Sequence, residues 1–568
     1  MPGFGASMGM VETFLRETNE VLRERDGERL QDFLVIEPPF KPIYENLIAE
    51  VRQSYPQDDE GKDRKRLEER IQGFMTECEE IPSENGVVGS WSAMVQFLAE
   101  WLAFLRDLNV ENLLDTYLRL SELLKKATNA LGHSTKGIII LPTVIAYAKV
   151  FARLAIGLDK KPELIAHLVI STSEDGSQET LPEKAAEVLR KAFVSCLNDR
   201  NTTPTGIRDG KPDGKKVAIY KLANICLKVL FQCDKKESGE YIFANISNSS
   251  PPLSIYPASE RVTYLYYLGR FHFMANHFYP AQIALQRAYD ECPIHASCLK
   301  QRRLIVIYLI AANLILGRFP TPSLYGRPEA HGLRERFHPI TRAIAKGDLE
   351  SFRRLMDWKT EHAPWFLHYR IFEQIQNRCE VYVWRSIFRK VFLLSGDQGD
   401  TNRRAAPTID LRKVLAAFHY FEKRAMMNEA LAQQDAGPGR RHISFLFMDT
   451  TPPASAGYVD PDFDGLDIKP VVRFQDIIEM EAIASSLVLQ GFLNGFISHS
   501  RQKFAITGAK KKGGALVAGF PRVWEVVRQK AQGQEDECPG WKRDGGAVGL
   551  GGTVIRLSGA RGVGVGEW

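Results

Sequence analysis

Cysteine is scarce and scattered in this chain. Its eight copies, at 78, 196, 226, 233, 292, 298, 379 and 538, include no Cys-x-x-Cys pair. A secreted disulfide scaffold needs a small, cysteine-dense chain, so that class is excluded and a reduced, intracellular setting is expected. The opening residues lack a basic start followed by an apolar run, and no signal peptide is expected. Long apolar runs are also missing. Ile138–Val150 carries polar residues and falls short of the roughly 20 residues that cross a bilayer, so no membrane partner is expected.

Catalytic signatures are equally absent. There is no phosphate-binding Gly-Lys-Ser/Thr loop, no His-Glu-x-x-His and no Gly-x-Ser-x-Gly. Histidines such as His295, His331, His338, His362 and His368 show no ligand-pair spacing. Asp460-Pro-Asp462-Phe-Asp464-Gly465 imitates the start of a calcium loop. That loop needs a bidentate Glu at its twelfth position, where Val471 stands. The expectation is therefore no enzyme, no catalytic residue, no metal and no cofactor.

What is present is helical spacing, from residue 11 to about 430. Trp91, Met94, Phe97, Leu98, Trp101, Leu102 and Leu105 recur at i, i+3, i+4, and Ile219, Leu222, Ala223, Cys226 and Leu230 do the same. Strand-like alternation is hard to find before residue 490. The polar stretch 198–215 reads as a surface loop.

One pair of helices is more specific. From Gly269, the small or apolar positions Ala281, Leu285 and Ala288 fall at +12, +16 and +19, and Pro293 at +24. That is the spacing of a tetratricopeptide-type hairpin, in which small residues let antiparallel helices approach. One such unit cannot bury its own face, so neighbours must stack on it. Candidates are Cys298–Leu316, His338–Met356 and Tyr369–Leu394.

The period changes near the C-terminus. Asp476–Leu489 reads as a helix with Asp476 as its cap and Gly491 beyond its end. Phe496-Ile497 and Phe504-Ala505-Ile506 read as two short strands around a polar turn. Helix plus hairpin after an all-helical chain suggests a winged helix, with Leu411–Glu422 as its first helix. The expected fold is mostly α: a helical-repeat superhelix capped by that unit. The divisions are 11–214 (N-terminal helices), 215–407 (repeats), 408–525 (winged helix, with a disordered insertion at 433–470) and 526–568 (a Gly-rich, disordered tail).

Charge follows the same division. The net charge is +5, yet residues 501–530 alone hold eight Lys or Arg against Glu525, which is +7 and leaves −2 for the rest. Arg501 and Lys503 at the hairpin, and Lys510, Lys511 and Lys512 beyond it, could neutralise phosphates and bind nucleic acid. Composition alone leaves a solvated charge run equally open. A second basic set lies on helices and includes Arg302, Arg303, Arg353, Arg354, Arg385, Arg389 and Lys390. Interleaved acids favour a salt-bridged surface there. Arg385, Arg389 and Lys390 are the weaker candidates for docking a partner. Tyr382, Trp384, Phe388 and Phe392 are expected in the core.

Three stretches carry a resemblance to a known family: Tyr266–Ala281, Cys298–Ile310 with Gly317-Arg-Phe-Pro320, and Gln490–Lys503. Together they resemble PCI-domain proteins around COP9 signalosome subunit twelve, over roughly residues 215–525. That family is similar to the PCI subunit of the nuclear transcription-and-export complex two. The resemblance implies a nuclear scaffold, possible in the cytoplasm as well, that couples transcription to messenger RNA export. Its implied partners are a larger PCI scaffold subunit, a small acidic proteasome-lid-type protein, and RNA or double-stranded DNA. The alternative it leaves open is a protein-interaction subunit of a COP9-signalosome-like complex without nucleic-acid binding. The insertion at 433–470 and the long join Gly508–Gly519 depart from the family pattern.

Overall fold

The computed structural model describes residues 9–56, 62–79, 81–83, 86–88, 90–164, 180–399, 405–434 and 476–533. The calcium-loop mimic, nearly all of the 433–470 insertion and the chain beyond 533 lie outside them. The N-terminal region runs through α1 (Met10–Glu24), α2 (Gly27–Phe33), α3 (Pro42–Ser54), α4 (Lys62–Phe74), α5 (Ser92–Asp107), α6 (Leu113–Leu131), α7 (Leu141–Asp159) and α8 (Leu181–Leu197). The stripe read from the sequence is the buried face: Trp91, Met94, Phe97, Leu98, Trp101 and Leu102 are at most 1% exposed. Buried aromatics also tie helices together through their polar tips. Trp91 donates from Nε1 to the Ala130 carbonyl at 2.9 Å, and the Tyr147 hydroxyl donates to the Leu34 carbonyl at 2.8 Å.

With the turn before it, α7 forms a 23-residue segment, Gly137–Asp159, long and apolar enough to cross a membrane. This is longer than the 138–150 run that set the sequence expectation. Its Val144, Tyr147, Ala148 and Phe151 are buried against α6 and α8, while Lys149 and Arg153 point outward. It is a core helix.

The expected surface loop at 198–215 is half exposed and carries more structure than a plain loop. A small antiparallel hairpin, Ile207–Arg208 with Lys211–Pro212, folds there, and Asp213 and Lys215 are buried. Lys215 Nζ donates to the His133 carbonyl at 2.9 Å and lies 3.8 Å from Asp199. These two buried polar side chains serve backbone groups, while the rest of the stretch is largely at the surface.

Repeats follow: α9 (Ile219–Gln232), α10 (Glu240–Ser249), α11 (Ala258–Met274), α12 (Phe278–Glu291) and α13 (Leu299–Ile315). The α11–α12 hairpin forms where the spacing places it. A Cβ on Gly269 would lie 2.5 Å from Leu285 Cγ and 3.4 Å from the Ala281 carbonyl oxygen, so only glycine allows this approach. Asn276 closes α11 in the left-handed conformation, at φ 62°. The stack continues through α14 (Pro322–Tyr325), α15 (Leu333–Lys346), α16 (Leu349–Leu355), α17 (Ala363–His368) and α18 (Phe372–Ser395). The candidate neighbour His338–Met356 comprises the end of α15 and all of α16. Gly347, at φ 65°, ends α15, and the Asp348 side chain caps α16 by accepting from Ser351 N at 3.2 Å.

The terminal unit comprises β5 (Thr408–Asp410), α19 (Leu411–Gln434), α20 (Ile477–Leu489), β6 (Gly495–Ser498), β7 (Lys503–Ile506), α21 (Ala515–Gly519) and α22 (Val523–Gly533), where β1–β4 are the two small hairpins at Ile81–Val88 and Ile207–Pro212. The sheet order is β5-β7-β6, antiparallel throughout. Asp476 caps α20 by accepting from Ile478 N at 2.9 Å and Glu479 N at 3.1 Å. Strand β5 was not expected. Helix α22 corrects the tail boundary, because ordered chain continues past 525 to 533. The long join is tied at its base, where Asn494 Nδ2 donates to the Thr507 and Ala518 carbonyls at 3.2 and 3.1 Å.

Candidate nucleic-acid interface

The hairpin's two strands pair in register Ser498↔Lys503 through Gly495↔Ile506, with Phe504 and Ile506 buried beneath. Arg501 sits exposed at the hairpin turn, and Lys503 is half-buried at the start of β7. Lys510, Lys511 and Lys512 are exposed in the turn that follows the other end of the strand. A four-residue strand at about 3.3 Å per residue puts on the order of 10 Å between these groups. The structure therefore splits the five cations into two sets rather than gathering them. In the hairpin turn, His499 Nδ1 lies 2.6 Å from Glu481 Oε2.

Arg385 is a correction. Expected as a weak partner contact, it is spent inside the molecule, donating from Nη2 to the carbonyls of Phe520 and Pro521 at 3.0 and 2.7 Å. Burial, and then the neighbouring Arg389 cation, pull its guanidinium down to about 10. Arg389 and Lys390, one turn on, are exposed. Elsewhere the helical basic set is mostly structural. Arg302 is 4% exposed and donates to Glu329 Oε1 at 3.0 Å and to the Cys292 carbonyl at 2.6 Å. Arg353 pairs with Glu380, and Arg354 with Glu350. Tyr382, Phe388 and Phe392 are buried as expected, while Trp384 is half-buried.

Two further clamps fix the terminal unit against the repeats. Arg424 on α19 reaches Glu350 Oε2 at 2.6 Å and also Asp348. On the other side, α22 lies against the turn after α13. Gly317, at φ 80°, has no room for a Cβ beside Val523, and the Arg318 guanidinium stacks 4.5 Å over Trp524. Lys530 donates to the carbonyls of Leu489 and Gln490 at 3.2 and 3.0 Å, satisfying the end of α20. Sequence inspection missed α22 because a Gly-rich tail follows it, although Val523, Trp524, Val526 and Val527 gave an apolar signal.

No family model matches the chain. Individual proteins do. A PCI domain-containing protein of Schizosaccharomyces pombe is 27% identical over 401 residues, 68% of this chain and 80% of that protein. PCI domain-containing protein 2 of Danio rerio is 31% identical over 212 residues, 37% of this chain and 49% of its own length. A CSN12 homolog of Neurospora crassa is 28% identical over 217 residues, 38% and 45% respectively. The chain is a homologue of PCI domain-containing proteins. It spans four fifths of the first relative and about half of the other two. Like a PCI-domain protein, the chain is mostly α.

Proposed function

We propose that the chain is a non-enzymatic nuclear scaffold subunit. It assembles with a larger PCI-type subunit and a small acidic protein, binds nucleic acid, and couples transcription to messenger RNA export. The supporting observation is the terminal unit. Strand β5, helices α19 and α20 and the β6–β7 hairpin follow one another there, with helices ahead of a two-stranded wing as in a winged helix whose first helix is Leu411–Glu422. That unit carries exposed Arg501 and Lys510–Lys512 on the hairpin turn and the turn beyond β7. Such cations displace counterions from phosphates.

The test is RNA and duplex DNA binding by the full chain across a salt series. Two variants are compared with wild type: Arg501→Glu/Lys503→Glu, and Lys510→Glu/Lys511→Glu/Lys512→Glu. If all three lysines meet phosphates, the plot of log K against log salt becomes shallower by roughly two to three units in the second variant. Wild-type slopes in both variants would remove the wing from the proposal.

A second reading is favoured by one feature. β6 is an edge strand, and Phe496 on it is 57% exposed. An open edge can take a partner's strand. A signalosome-like interaction subunit would use that edge, and relatives bearing the CSN12 name fit it. Loss of partner capture on Phe496→Lys, with no measurable nucleic-acid affinity, would select this reading.

A further inference from the structure

Where α22 meets the repeats, a cleft of about 660 Å³ opens between the turn after α13, the end of α15 and the length of α18. Lys346, Arg389, Lys390 and Arg522 line it together with Arg385, whose Nη2 is already bonded to the Phe520 and Pro521 carbonyls, and among the described residues no Asp or Glu does. Arg389 and Arg522 come from positions 133 residues apart (522 − 389), so the cluster exists only in the fold. Arg522 pairs with Glu525 at 3.4 Å, in a pair that is 85% and 57% exposed and therefore screened. The walls are apolar. Phe319, 43% exposed, projects between this cleft and a neighbouring one of about 350 Å³, which Arg318 and Arg327 line. Trp524, beneath the Arg318 guanidinium, also lines the larger cleft.

We propose that this cleft binds single-stranded nucleic acid, with phosphates on Lys346, Arg389, Lys390 and Arg522 and an unstacked base against Phe319. The proposal rests on the nucleic-acid function above but uses a different surface from the hairpin. A cationic track beside exposed aromatic faces is what sequence-tolerant single-strand binding requires, since every base has a π-face. A duplex is excluded by shape: its phosphates lie on a convex cylinder with the bases stacked inside, whereas this site is concave and sized for a small ligand, within the range of roughly 300–1,000 Å³. An acidic peptide would meet the cations but would leave Phe319 without a planar partner.

The experiment uses the full chain and three fluorescent probes: a single-stranded oligouridine, a duplex RNA and oligoglutamate. Two cleft variants, Phe319→Ala and Arg389→Glu/Lys390→Glu, are compared with Lys510→Glu/Lys511→Glu/Lys512→Glu and wild type, with circular dichroism as the fold control. The expected result is that Phe319→Ala weakens oligouridine about tenfold and leaves duplex affinity unchanged. The charge reversal should weaken oligouridine further. Wild-type oligouridine binding by both cleft variants, alongside loss in the lysine-turn variant, overturns the cleft and leaves the proposed function standing. Oligoglutamate affinity lost in the cleft variants while oligouridine is unaffected also overturns it, in favour of an acidic peptide. If wild type binds neither RNA, the cleft and the proposed function fall together.

Discussion

His272 should make the repeat region acid-sensitive. It lies three residues after Gly269 on α11, is fully buried, and neither ring nitrogen has a hydrogen-bond partner. Burial, with a smaller contribution from the ring of His277 at 6.3 Å, lowers its pKa from 6.5 to about 4. The folded chain therefore holds the imidazole neutral at a pH where the unfolded chain is already protonating it. Stability from this group is present above the unfolded value of 6.5. It is lost as pH falls through that value towards 4, because the unfolded state then binds the extra proton. Integrating the linkage from pH 7 to pH 5 gives a loss of about 2 kcal/mol, large beside the stability of a typical domain.

The perturbation is a pH change with an internal control. His272→Leu removes the titrating group and its two unpaired polar atoms, and it should cost nothing at neutral pH. Urea unfolding of both chains at pH 7 and pH 5, followed by tryptophan fluorescence, isolates the term. All other titrating groups cancel in the difference between the two chains. Wild type should lose about 2 kcal/mol more than the variant. Equal losses would refute the reasoning and mean that water or a rearranged ring satisfies His272 in the folded state.

Three other perturbations test the joints. Gly269→Ala should cost roughly 1–2 kcal/mol, because the methyl must displace Leu285 Cγ while helix propensity returns part of the loss; thermal unfolding reads it. Arg424→Ala should cost about 1–2 kcal/mol by removing the shorter of the two cation contacts of Glu350, 7% exposed, and leaving it with Arg354. Adding Glu350→Gln should recover part of that loss, seen as restored resistance of α19 to limited proteolysis. Asp476→Ala should cost about 1 kcal/mol of local stability, visible as faster hydrogen exchange at Ile478 and Glu479.

Legibility from sequence tracked distance along the chain. The Gly269–Ala281–Leu285 spacing, the Asp476 cap and the Phe496 and Phe504 strands are local patterns, and each is found where the spacing puts it. The missed features are those whose partners lie far away or whose segments are too short to show a period. Strand β5 has three residues, fewer than alternation needs. The break between α15 and α16 was not read, although Gly347 is a stop signal and Asp348 a start signal. Arg385 looked like any helical surface cation. Its carbonyl partners are 135 and 136 positions on, and nothing near Arg385 announces them. The five basic residues near 501–512 lie close in sequence, and strand β7 between Lys503 and Lys510 keeps two groups apart.

The same long-range contacts decide how the charged surfaces can work. Arg424 holds one side of the terminal unit to α16, Tyr382 packs edge-on against Phe492 at 5.5 Å in the middle, and Arg385 with the Gly317–Val523 contact holds the other side. Three attachments spread over different helices leave no single pivot about which the unit could swing. The hairpin turn, the lysine turn and the cleft beside α22 are thus held in one fixed arrangement. Each solvent-exposed cation contributes little alone, because water and salt screen it. A preorganised array avoids the ordering entropy that floating side chains on a mobile module would cost, and that saving is what turns several weak phosphate contacts into useful affinity. Loosening the joint through Arg424 should therefore weaken nucleic-acid binding even though Arg424 touches none of the exposed cations. Unchanged affinity in an unclamped but folded Arg424→Ala chain would show that the surfaces act independently.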